Sequence, residues 1–115
     1  MAVAEPMEGS CHCGAVRLTV AQAPTEVTEC HCSICRRYGA LWAYYPSGEA
    51  TYAGPTEVYA WGRKACAFHR CGTCGCVVGW WPHGADFGHC AVNARVLEGL
   101  DLDAVTRNVE EDASM

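Results

Sequence analysis

The chain has 115 residues, 50% of them apolar and 18% charged, which suits one domain with one modest core and excludes a disordered chain. A formal net charge of −5, with only 8 Lys and Arg, excludes a protein that grips nucleic acid mainly through phosphate charge. No segment approaches the roughly 18 consecutive apolar residues of a membrane helix.

In chain order, residues 1–10 contain no Lys or Arg and too short an apolar run for a secretory signal. A reducing cytoplasm is therefore expected. Cys11-His-Cys13 follows, then a period-two strand over 15–20. Next comes Cys30-His-Cys-Ser-Ile-Cys35, with a short helix expected over 33–38 and Ser33 as its N-cap. Strands are predicted over 41–45, 56–60, 76–81 and 89–92, separated by Pro46, Gly48, Gly54, Pro55, Gly62, Pro82 and Gly84. Between the second and third of these lies Cys71-Gly-Thr-Cys74-Gly75. Helical turns are expected over 94–97 and 102–105, and residues 108–115, with Glu110, Glu111 and Asp112, read as a frayed tail. The expected architecture is a single, mainly β, mostly antiparallel domain over 1–115.

Ten cysteines in 115 residues mean a disulfide framework or metal. A reducing compartment favours metal, and so does the spacing, because zinc sites draw two thiolates from each short segment. Gly75 after Cys71-x-x-Cys74 suits a tight knuckle whose backbone N–H groups point at sulfur. The seven clustered cysteines divide into four and three: Cys11, Cys13, Cys71 and Cys74, and Cys30, Cys32 and Cys35. A structural zinc has four protein ligands, whereas a catalytic zinc has three and an open position. Other partitions remain, with nitrogen from His12 or His31, or sulfur from Cys66 or Cys76. On an extended segment the central His of Cys-His-Cys faces away from the metal. Cys66, Cys76 and Cys90 are expected as buried, unliganded thiols.

The segments Gly9 to Arg17, Cys30 to Arg37 with Gly39-Ala40, Cys71 to Gly75, and Val92-Asn93 with Leu100-Asp101 together resemble the glutathione-dependent formaldehyde-activating enzyme family, which includes the centromere protein V domain. Arg70 stands where that family usually has an aromatic residue, and Cys76 where it has an ordinary apolar one. The resemblance implies an Mss4-like, zinc-stabilised twisted β fold. It implies a structural zinc on Cys11, Cys13, Cys71 and Cys74, and a second, more labile catalytic zinc on Cys30, Cys32 and Cys35. The implied activity is that of a carbon–sulfur lyase-type enzyme, joining glutathione or a similar thiol with formaldehyde or another aldehyde.

Arg36 and Arg37 are candidates for holding a glutathione carboxylate. Trp42, Tyr44, Tyr45, Trp80 and Trp81 are candidate pocket or core residues, His69 and His83 candidate proton carriers, and Asn93 a candidate for orienting backbone near the metal. A competing class is a non-catalytic zinc scaffold or interaction module, in which Cys66 or Cys76 closes the second site. Neither nucleic acid nor membrane is an expected partner, while exposed aromatics are compatible with a homodimer.

Overall fold

A computed structural model describes residues 5–60 and 65–111. The strands are β1 (Met7–Ser10), β2 (Arg17–Val20), β3 (Glu26–Cys30), β4 (Trp42–Pro46), β5 (Ala50–Ala53), β6 (Thr56–Tyr59), β7 (Cys66–Cys71), β8 (Val77–Pro82), β9 (His89–Asn93) and β10 (Thr106–Glu110). One short helix, α1 (Cys35–Tyr38), follows β3, and a 3-10 turn (Ala94–Val96) follows β9. The mainly β expectation holds.

The strands form a three-stranded sheet, β1-β2-β5, and a seven-stranded sheet, β10-β3-β4-β9-β8-β7-β6. Neighbours are antiparallel except β10 and β3, which run parallel with Thr106 opposite Glu26 and Glu110 opposite Cys30. Alternation along each strand divides the large sheet into two faces. One face packs on the small sheet: Val16, Leu18, Val20 and Ala50 meet Val27, Ala43, Tyr45, Cys90 and Val92 in the main core. The opposite face carries a second cluster, with Trp42, Phe68, Trp80 and Ala91 around Cys32 and Cys35. The register lines up Tyr44, Ala91, Trp80, Phe68 and Tyr59 across five strands of that face. Tyr44 and Tyr59, at the two ends of the row, are exposed.

Three local expectations change. Residues 108–110, read as part of a frayed tail, are strand: β10 pairs with β3, and its Glu110 carbonyl accepts the His31 N–H at 2.8 Å. Residues 112–115 lie outside the described residues. Ser33 is not the helix cap: α1 starts at Cys35, and Ile34 precedes it without a side-chain cap. Residues 102–105 form a turn rather than helix.

A candidate metal centre on each face

The Cys11 and Cys13 thiols come from the segment after β1, Cys71 ends β7, and Cys74 lies in the turn that follows it. The four sulfurs lie within 4.8 Å of one another. Sulfurs about 2.3 Å from a zinc at the centre of a tetrahedron stand about 3.8 Å apart. Here Cys11 and Cys13 are 3.7 Å apart, and Cys13 and Cys71 3.6 Å. The thiol spacing thus fits a tetrahedral ion. Backbone donors surround the sulfurs. Val16 N–H reaches Cys11 Sγ at 3.3 Å, and Thr73 and Cys74 N–H reach Cys71 Sγ at 3.3 and 3.5 Å. Gly75 closes the second turn at φ 81° and gives its N–H to the Cys71 carbonyl at 3.0 Å. A side chain would strain that left-handed conformation.

These donors pull the thiols apart in acidity. N–H groups of Cys76 and Cys13 hold Cys74 near about 5, on the thiolate side at neutral pH. At Cys13 a hydrogen bond from the Ala15 backbone is outweighed by the Cys71 thiol, burial and the remaining thiols, and the group is pushed up to about 11.

The second group is Cys30, Cys32 and Cys35, built by the end of β3, the following loop and the first residue of α1. Among the described residues no fourth His, Cys, Asp or Glu joins it. Cys66 and Cys76 stay out of both groups and are half-buried, so the expectation of buried thiols holds fully for Cys90 alone. His31 is turned into an ion-pair network. Its Nε2 meets Glu29 at 2.6 Å and its Nδ1 meets Glu111 at 3.1 Å, and Glu29 then Glu111 raise its pKa. This network and the Arg107–Glu29 pair at 3.4 Å pin β10 beside the cysteine loop.

Two donors face the sulfurs of this group. The Cys35 N–H approaches Cys32 Sγ at 3.5 Å, and the buried Trp42 Nε1–H approaches Cys35 Sγ at 3.3 Å. Burial raises Cys32, but the Cys35 backbone and thiol more than offset it, so Cys32 falls below the usual thiol value. Burial pushes Cys35 well up, with the Cys32 thiol adding to it and Trp42 opposing. The trio is therefore polarised, with Cys32 the readiest thiolate.

A cavity of about 210 Å³ opens beside the trio, lined by Cys30, Cys35, Glu29, His31, Arg36 and Arg95 among others. Arg36 is in the lining. Arg37 does not, and its Nη1 donates to the Ser33 carbonyl at 2.7 Å. Arg95 went unforeseen in the sequence; its Nε–H donates to the Gly39 carbonyl at 3.0 Å. Gly39 ends α1 at φ 66°, a conformation that lets the chain turn back toward the sheet. Asn93 orients backbone from both sides. Its Oδ1 accepts from Leu41 N–H at 3.3 Å and Arg95 N–H at 3.2 Å, and its Nδ2 donates to the Val77 carbonyl at 2.9 Å.

The aromatic candidates separate by face. Trp42 and Trp80 pack by the cysteine trio. Tyr45 belongs to the main core, and its hydroxyl donates to the Gln22 carbonyl at 2.7 Å. Trp81 and His69 lie against Tyr52, with ring centroids 4.8 and 4.7 Å from it. His69 follows Phe68 on β7 and faces the opposite side of the sheet from the trio.

The model of the family described as glutathione-dependent formaldehyde-activating enzyme matches residues 6–109, and the chain belongs to this family. A Halomonas elongata protein named for the same family is 49% identical over 47 residues, covering 38% of this chain. That match spans 30% of the relative's own length. A crystal structure of a Rhodobacter sphaeroides protein superposes with a TM-score of 0.74 at 26% identity, covering 89% of this chain and 100% of that one.

Proposed function

We propose that this chain is a cytoplasmic, zinc-dependent enzyme of the carbon–sulfur lyase type, joining glutathione or a similar thiol to formaldehyde or another aldehyde. The observation that carries the reading is the trio Cys30, Cys32 and Cys35, three thiols without a fourth ligand among the described residues, beside a cavity with two guanidinium groups. Cys11, Cys13, Cys71 and Cys74 would hold a structural zinc, and the trio a second one. An ion in the open site would supply charge stabilisation for a bound thiolate or for the aldehyde oxygen.

The chain's own residues divide the remaining work. Trp42 and the Cys35 N–H fix the trio's sulfurs, and the His31 network fixes the loop that carries them. Arg36 faces the cavity where an acidic thiol would lie. The substrate thiol gives up its proton, its sulfur forms a bond to the carbonyl carbon, the π pair moves to oxygen, and that oxygen takes up one proton, so the addition is proton-neutral overall. A thiol of ordinary pKa near ~8.5 is mostly protonated at neutral pH, so holding the thiolate beside the aldehyde supplies both charge and proximity.

The test mixes zinc-loaded protein, glutathione and ¹³C-formaldehyde and follows exchange by NMR, with Cys32→Ser as control. Faster exchange than in the control is expected, together with two zinc ions of which one leaves under mild chelation. Equal rates would end the enzyme reading. Two tightly held ions closed to thiols would instead mark a scaffold.

A further inference from the structure

The cations of this acidic chain are unevenly matched. Arg17, Arg70 and Arg107 lie within ion-pair distance of Glu8, Glu57 and Glu29. Among the described residues Arg36, Arg37 and Arg95 make no ion pair, although acids outnumber bases 13 to 8. Two of these three line the cavity beside Cys30 and Cys35. The carboxylate in the same lining, Glu29, is already engaged by His31 at 2.6 Å and Arg107 at 3.4 Å. Arg95 adds a longer-range pull on Glu29, but among the described residues neither cavity guanidinium lies within ion-pair distance of an acid.

Arg95 is also held in place. Asn93 Oδ1 receives its backbone N–H at 3.2 Å, and the Gly39 carbonyl receives its Nε–H at 3.0 Å. Its terminal nitrogens make no hydrogen bond among the described residues, which leaves the fork free for a planar anion. At about 210 Å³ the cavity is smaller than the roughly 300 Å³ at which sites begin to enclose a whole ligand. It suits one end of a molecule, bearing a thiol and a carboxylate, with the remainder lying over the rim.

We infer that Arg36 and Arg95 form a carboxylate clamp, with Arg95 positioning the substrate so that the site selects thiols that carry an acid. This deepens the proposed function and rests on the trio being the thiol site. The competing physical account is that the two cations merely offset thiolate charge, which would help acidic and neutral thiols alike.

Matched ligands separate the two accounts: 3-mercaptopropionate and 3-mercaptopropan-1-ol differ only in the acid group. Calorimetric titration uses zinc-loaded wild type, Arg95→Gln, Arg36→Gln, Arg95→Lys and, as charge control, Arg17→Gln. Wild type and R17Q are expected to prefer the acid by about tenfold. R95Q and R36Q each lose most of that preference without change in alcohol affinity, and R95K recovers part of it. Equal binding of both ligands by wild type, or equal weakening of both in R95Q and R36Q, overturns the clamp. ¹³C-formaldehyde exchange on the same samples keeps the claims apart. Preference without acceleration leaves the clamp and removes the reaction, and acceleration without preference does the reverse.

Discussion

Trp42→Phe separates packing from metal holding at the trio. The indole is 1% exposed and its Nε1–H points at Cys35 Sγ at 3.3 Å. Phenylalanine keeps an aromatic ring but removes the donor and about 40 Å³ of buried volume, which at roughly 24 cal/mol per Å³ costs about 1 kcal/mol of cavity energy. Lost apolar burial adds about 1 kcal/mol. The expected fall in metal-free stability is therefore about 2 kcal/mol, read as a lower urea midpoint. The hydrogen bond matters most when the sulfur is charged, where such bonds are worth about 1.5 kcal/mol. Its loss is expected to weaken zinc at the trio about tenfold and leave the four-cysteine group unchanged. Competition with a chromophoric chelator on protein carrying two zinc ions resolves the two steps. A stability loss with unaltered zinc release would refute the reasoning, reducing Trp42 to a packing residue.

Gly79→Ala tests the backbone approach of β8 to β9. A Cβ there would lie 2.6 Å from the Ala91 carbonyl oxygen and 2.8 Å from the Trp81 ring, so a loss of about 2 kcal/mol is expected. An unchanged urea midpoint would remove that constraint. His69 tests acid stability. Burial first, and His83 second, lower its pKa in the folded chain, while the unfolded chain takes up a proton near about 6.5. The unfolded state then binds more protons, so stability should fall as pH drops below about 6.5 and level off below the depressed folded value. His69→Gln should flatten that part of the stability–pH curve, and an equal slope in both proteins would assign it to other groups.

Much of the fold is legible where one face of a strand is buried and the other is not. Arg17–Val20 alternates exposed and buried, and its period shows in the residue types. Strand β7 hides because it is buried on both faces for most of its length and reads as a mixed run of Cys, Ala, Phe, His and Arg. Strand β10 hides for the opposite reason. All five residues are exposed, so its conformation comes from pairing with β3 and from two ion-pair contacts, none of it local. The cysteine groups are legible because chelation needs close spacing. Arg95 is not, since it reaches the cavity through the 3-10 turn after β9, far along the chain from Cys35.

The two cysteine groups differ in what they are attached to, and that bears on how each would lose metal. Cys11 and Cys71 belong to the main core, where the two sheets meet. They join β1 to β7, segments nearly 60 residues apart, so an ion there would close a long loop and its release would loosen the body of the fold. Cys32 and Cys35 belong to the smaller aromatic cluster on the far face, and all three thiols of that group come from one short segment. An ion there closes almost no loop and holds few elements together. Its release therefore costs the fold little, which is the property an open site needs if ligands are to exchange at it. Chelator should thus strip the trio without moving far-UV circular dichroism, whereas stripping the four-cysteine group should move it. A spectrum that shifts with loss of the first ion would show that the trio also braces the fold.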